Sequence, residues 1–156
     1  ADRYTPADTT YMPTGQMLKV AGTPMDFRKP TPLSKDINNQ RFAMTRNARG
    51  FDHNWCLNTW HNGQPDERAV AASLYSPQTG IMLQVFTNEP GIQVYTGNFL
   101  DASFAGKHGY RYPKHSAVCL ETQHYPDSPN RPEWPSAWLE TGKKYSSHCV
   151  YKFSVR

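Results

Sequence analysis

Ser76-Pro-Gln-Thr-Gly80 followed by Ile81-Met-Leu-Gln-Val-Phe86 decides the fold class. The first five residues carry the proline and glycine of a turn. In the next six, Ile81, Leu83 and Val85 alternate with Met82, Gln84 and Phe86, the period of two that belongs to a strand. Working outward, Arg68–Tyr75 reads as the strand entering the turn, and Ile92–Thr96, Ala117–Thr122 and Ser147–Val155 as later strands. In the last of these, Cys149, Tyr151, Phe153 and Val155 share one face. Helical periodicity is almost absent. The one helix start expected is a single turn capped by Ser34 and running through Asn39. Pro6, Pro13, Pro24, Pro30 and Pro32 deny the early chain a helix of any length. Residues 1–49 therefore read as a loop-rich arm with short strands, and 50–156 as the strand-bearing part. Many short strands between turns predict an all-β sandwich or barrel. Asp127–Pro135 is a long proline-braced loop, a class of segment that often carries function.

Composition narrows the partners. The chain has 156 residues, enough for one domain, and 17 Lys+Arg against 13 Asp+Glu give a net charge of +4. Those charges form no block or stripe, and no apolar run approaches the roughly 18 residues of a membrane span. Neither a nucleic acid nor a membrane is expected as a partner. Only 25 of the 156 residues are Leu, Ile, Val or Phe, but 13% are aromatic, so Trp, Tyr and Phe must supply much of the core. Cys56, Cys119 and Cys149 are an odd number at wide spacing, and no Asn-x-Ser/Thr sequon occurs. Both fit a reducing, cytoplasmic compartment, with periplasmic or secreted locations left open. The opening Ala1-Asp-Arg, with no methionine or apolar leader, reads as a processed chain or a piece of a longer one.

Three polar residues sit where alternation makes them candidates for chemistry. In Ala117-Val-Cys-Leu-Glu-Thr122, Glu121 shares a face with Ala117 and Cys119, as if space were left above the small residues. A carboxylate ending an apolar strand is expected to be partly desolvated, which suits a general base. A strand-end glutamate held in an ion pair is the competing reading. In Ile92-Gln-Val-Tyr-Thr96, Gln93 and Tyr95 share a face, and an amide beside a flat ring suits a sugar. An exposed polar face of an edge strand would look the same. In Gly50-Phe-Asp-His-Asn-Trp-Cys-Leu57, Asp52 and Asn54 oppose Phe51, His53 and Trp55. One carboxylate can accept from two vicinal hydroxyls, although an Asx turn at a strand start is the alternative. His53 is expected to pack or cap rather than catalyse.

Other chemistries find less support. Cys56 with His61 and Cys119 with His124 share a C-x4-H spacing that makes no recognisable zinc set, so no metal is expected. Cys56 and Cys119 lie in apolar strand contexts where a thiol is inert. No phosphate loop or dinucleotide fingerprint occurs, and no cofactor is expected.

Gly50-Phe-Asp-His-Asn54, Val94-Tyr-Thr-Gly-Asn-Phe-Leu-Asp101, Cys119-Leu-Glu-Thr-Gln123 and Pro126-Asp-Ser-Pro-Asn130 follow one another in order. Together they resemble the C-terminal half of the galactose mutarotase (aldose 1-epimerase) family. Ala1-Asp-Arg-Tyr-Thr-Pro6 and Val20-Ala-Gly-Thr-Pro-Met-Asp-Phe-Arg28 resemble the stretch just past that family's midpoint. The resemblance implies a galactose-mutarotase-like antiparallel β-sandwich with a concave sugar-binding face, of which residues 1–156 form the C-terminal half. It implies interconversion of α and β anomers of galactose, glucose or related aldoses, in hexose metabolism, without metal or cofactor. Glu121 then matches the family's general base, and Asp52 and Gln93 match residues that line the sugar pocket. The family's general-acid histidine and its remaining sugar ligands belong to the N-terminal half, and none of the six histidines here matches the acid's motif. The expected partners are therefore a monosaccharide (D-galactose or D-glucose) and the N-terminal half, in cis or as a second chain. Without that half, one sandwich face and some strand edges should lie uncovered. Two alternatives are a non-catalytic carbohydrate-binding sandwich, and a glycosidase using Asp52 and Glu121 as carboxylates roughly 5–9 Å apart.

Overall fold

The computed structural model describes all residues, Ala1–Arg156. Its strands in chain order are β1 (Arg3–Thr5), β2 (Leu18–Lys19), β3 (Asp52–Cys56), β4 (Trp60–His61), β5 (Gln64–Pro65), β6 (Ala72–Tyr75), β7 (Ile81–Thr87), β8 (Gly91–Tyr95), β9 (Cys119–Gln123) and β10 (Cys149–Val155). A five-stranded antiparallel sheet runs β2-β1-β3-β8-β9, and a three-stranded one runs β10-β7-β6. The hairpin β4-β5 was not foreseen, and β6 starts at Ala72 rather than Arg68.

Alternation explains how the sheets meet. Tyr4, His53, Trp55, Ile92, Val94 and Leu120 point from the larger sheet toward the smaller, which answers with Ala72, Leu83 and Val85. The resulting core also takes Val20, Met25, Ile37 and Phe51 from outside the sheets, so the arm closes one side of it. Phe27 joins through aromatic contacts, its ring centroid 5.2 Å from Phe51 and 5.8 Å from Trp55. The Trp55 indole N–H donates to the Met25 carbonyl at 3.0 Å, which satisfies the one polar atom of a buried indole. Aromatic residues thus replace the missing aliphatic ones, and the two-sheet all-β architecture matches the expectation.

Helical structure falls elsewhere than expected. The turn near Ser34 is a short 3-10 segment, Leu33–Lys35, preceded by Pro32 and without a side-chain cap. Ser34 lies inside it, and no helix continues to Asn39. The one α-helix, α1, is Ala43–Ala48. Asn39 prepares it: its Oδ1 accepts from the Arg41 and Phe42 N–H groups, and its carbonyl receives the buried Thr45 hydroxyl at 2.7 Å. Six residues are too few for a hydrophobic period to be visible in sequence.

A compact hydrogen-bond cluster joins the end of α1 to the start of β3. The Phe51 N–H donates to Thr96 Oγ1 at 3.0 Å, and the Thr96 hydroxyl donates to Asn98 Oδ1 at 2.7 Å. Asn98 Nδ2 donates in turn to the carbonyls of Ala48 and Phe51 at 2.8 and 2.9 Å. Gly50 has φ +148°, and a Cβ there would stand 2.1 Å from Asn98 Oδ1, so only glycine fits. The cluster fixes where β3 begins, and therefore where Asp52 stands.

Candidate active site

The outer face of the five-stranded sheet is polar because alternation has sent the apolar residues inward. Pairing of β3 with β8 aligns Asn54 with Gln93, and pairing of β8 with β9 aligns Gln93 with Glu121. Asp52 lies two residues along β3, in the row with Tyr95 and Cys119. Cys56, Gly91 and Gln123 form the next row on the other side. Asp52, Gln93 and Glu121 therefore share one face, each with the parity read within its own strand.

Hydrogen bonds tie part of that face together. Gln93 Nε2 donates to Asp52 Oδ1 at 2.8 Å. Gln123 Nε2 donates to Gln93 Oε1 and to Asn54 Oδ1, both at 3.3 Å. Asn54 is 2% exposed, and its Nδ2 has no acceptor in this chain. Beneath Asp52, His53 is buried with its ring toward Trp55, and its Nδ1 accepts the Asp52 N–H at 3.1 Å. Burial lowers the His53 pKa to about 4, so the ring is neutral near pH 7. His53 packs and caps.

Aromatic rings stand at both ends of the polar rows. Tyr95 stacks on Phe99, centroids 6.4 Å apart, and its hydroxyl oxygen accepts the Phe99 N–H. At the other end Tyr125 meets Trp134 edge-on at 5.8 Å, which ties the Asp127–Pro135 loop to the sheet. Tyr125 can lie there because residue 91 is glycine. A Cβ at Gly91 would stand 2.4 Å from Asn54 Oδ1 and 2.8 Å from the Tyr125 ring. Beyond Tyr125 opens a cavity of about 820 Å³ whose walls include Arg3, Cys56, Trp60, His61, Tyr125 and Trp134. None of Asp52, Gln93 and Glu121 lines it.

Two local expectations need correction. Glu121 is exposed and belongs to no ion pair, so neither the desolvated base nor the paired carboxylate describes it within this chain. Nothing in this chain covers Glu121, although Tyr125 and Trp134 cover Cys56 farther along the same face. Cys119 is likewise exposed on the polar face, whereas Cys56 is buried, with its thiol pushed up to about 11 by loss of solvation. The apolar context read for both thiols holds for Cys56 alone. Gln123 received no role from sequence, although it shares Glu121's parity two residues on. Asn54 was placed on the right face but not among the site residues.

A face of carboxylates and amides between aromatic rings is suited to a ligand rich in hydroxyl groups. Residues 1–152 match the family described as Aldose 1-epimerase, and the chain belongs to that family. It is 44% identical over 155 residues to the galactose mutarotase of Homo sapiens, covering 99% of this chain and 42% of that protein. The galactose mutarotase of Mus musculus gives 43% identity over the same shares. The aldose 1-epimerase of Escherichia coli (strain K12) is 34% identical over 158 residues, 98% of this chain and 43% of that protein. The chain thus spans less than half the length of these relatives. Among solved structures, the GalM/aldose epimerase homologue from C. elegans superposes with a TM-score of 0.82 at 28% identity. That superposition covers 99% of this chain and 44% of that one. No helix is long and apolar enough to cross a membrane.

Proposed function

We propose that this chain contributes the base-bearing half of an aldose 1-epimerase site that interconverts the α and β anomers of galactose, glucose or a related aldose. The observation that carries the reading is the common face of Asp52, Gln93 and Glu121, with Gln93 bonded to Asp52 at 2.8 Å, in a chain of this family. Asp52 Oδ1 is engaged by Gln93, while no hydrogen bond from the chain reaches Oδ2, an acceptor for a sugar hydroxyl. The Gln93 amide orients that carboxylate and lines the pocket. Tyr95, half-buried on the same face as Asp52, offers a flat surface to the C–H face of a pyranose.

In the proposed reaction Glu121 removes the proton from the anomeric O1 hydroxyl. The C1–O5 bond breaks as C1=O1 forms, and the ring oxygen takes a proton from a general acid. Rotation about C1–C2 presents the other face of the aldehyde, and the reverse steps close the ring. A base and an acid of opposite protonation state are sufficient, because no group is transferred and no electron lost. Within this chain Glu121 carries the base role. The acid role belongs to a histidine outside it, in the remainder of the domain, which also has to cover Glu121 for its carboxylate to be desolvated.

The test is polarimetry with freshly dissolved α-D-glucose and α-D-galactose, on the full-length protein containing this chain. Glu121→Gln keeps the shape and removes the basic oxygen, so kcat should fall by on the order of 10²-fold or more. Full activity in Glu121→Gln would remove the general-base assignment. Sugar binding without faster mutarotation in the native protein would mark a carbohydrate-binding sandwich instead, and release of reducing ends a glycosidase.

A further inference from the structure

A carboxylate accepts hydrogen bonds and cannot donate them, and from that asymmetry the orientation of three amides follows. Asp52 Oδ1 requires Gln93 to present its nitrogen, 2.8 Å away. Gln93 then presents Oε1 to the other side, where Gln123 must answer with nitrogen, 3.3 Å away. The second hydrogen on Gln123 Nε2 needs an acceptor, and Asn54 supplies Oδ1, also at 3.3 Å. Any single flip sets oxygen against oxygen or nitrogen against nitrogen. Asn54 is held by burial at 2% exposure, beside the Tyr125 ring and over the glycine whose missing Cβ makes room for it. The fixed end of the chain of amides is thus Asn54, and the working end is Asp52.

We infer that Gln123 and Asn54 are positioning residues for the sugar site: through Gln93 they hold Asp52 with one oxygen occupied and the other presented to substrate. This rests on the reading of Asp52 and Gln93 as sugar-binding residues. Neither Gln123 nor Asn54 needs to touch the reacting atoms. Their effect should therefore fall on the binding of sugar hydroxyls rather than on proton removal by Glu121. Gln123 reaches this role from the same strand as Glu121, two residues on and in the next row. One strand therefore holds both the proposed base and the part that orients the binding carboxylate.

The discriminating variant is Gln123→Glu, nearly isosteric but with oxygen where the relay needs nitrogen. It sets an acceptor against both Gln93 Oε1 and Asn54 Oδ1, favours the flipped Gln93 amide and turns an oxygen toward Asp52. In the full-length protein KM for the aldose should rise about tenfold while kcat stays within about twofold, the loss of an oriented hydrogen bond. Gln123→Met, without charge or hydrogen bonds, should raise KM by about threefold, again with kcat retained. Thermal melting of each variant is recorded alongside, and if Gln123→Glu does not fold, Gln123→Met decides alone. An unchanged KM in the folded variants would overturn the inference, as would a fall in kcat with KM retained. Glu121→Gln is run in the same series. If it keeps full activity, the general-base assignment of the proposed function fails; if it is disabled while the Gln123 variants match the native protein, only the positioning role fails.

Discussion

β3 and β10 carry the same alternating pattern and end in opposite surroundings. In β3 Asp52 is half-buried and His53, Asn54, Trp55 and Cys56 are all buried. In β10 all seven residues are exposed, Phe153 at 66% and Val155 at 77%. The pairings are equally regular, since β10 matches β7 residue for residue from Cys149 to Val155. What differs is the cover. β3 lies between β1 and β8, with the smaller sheet beneath it and the polar rows above. β10 is an edge strand, and the core contacts of its sheet stop at Val85 and Leu83 on its neighbour. Tyr151 alone reaches across, its hydroxyl donating to the Leu120 carbonyl at the edge of β9. Alternation tells which side of a strand is apolar. Whether that side has anything to pack against is a property of the rest of the molecule.

The comparison is broken first by removing a ring from each region. Phe51 is fully buried among Phe27, Trp55 and the arm, so Phe51→Ala leaves a cavity and should cost about 3–5 kcal/mol. Denaturant unfolding measures it through the shift in midpoint at constant slope. A cost below about 1 kcal/mol would mean that the arm is not part of the cooperative core.

Acid titration sharpens the same contrast without cutting anything out. His53 is neutral in the folded protein, its pKa lowered by burial to about 4 from an ordinary value of 6.5. The unfolded chain binds the proton first as pH falls, so the sign is fixed. Stability from this group is fully present above about pH 6.5, falls as pH drops, and is gone below about pH 4. The loss across that window is of order 3 kcal/mol. His53→Gln should flatten that limb of a stability–pH curve, and an unchanged limb would show that His53 charges without cost. No such limb is expected from β10, because Cys149–Val155 carries no histidine or carboxylate to take up a proton in that range.

Legibility in the sequence divides along the same line. Strand parity was readable from residues 50–57, 92–96 and 117–122, so the common orientation of Asp52, Gln93 and Glu121 followed once the strands were neighbours. That β3, β8 and β9 are neighbours, in a register that sets Asn54 beside Gln93 beside Glu121, is long-range pairing without a local signal. The role of Gln123 depends on that register alone. The exposure of Glu121 was misread for a related reason: desolvation was inferred from strand neighbours, but it is set by whatever stands above the face. Helix α1 escaped because the residue preparing it, Asn39, stands four positions ahead of its start and acts through Oδ1 and a backbone carbonyl.

The smallest expected effect is the most informative about cover. Phe153 shares the inner face of its sheet with Leu83 and Val85, yet is two-thirds exposed at 66%. In the 156-residue chain Phe153→Ser removes an apolar ring from water rather than from a core, so stability should change by no more than about 0.5 kcal/mol. For a protein of the relatives' full length, of which this chain spans 42%, we propose that further structure packs on the same face. There the substitution should cost several-fold more, on the order of 2–4 kcal/mol, the penalty of a buried ring lost. Measuring both by denaturant unfolding separates the pattern of a strand from its environment. Equal small costs would mean that β10 stays bare in the longer protein. A large cost in the short chain would mean that Phe153 is already packed, and that the contrast between β3 and β10 is false.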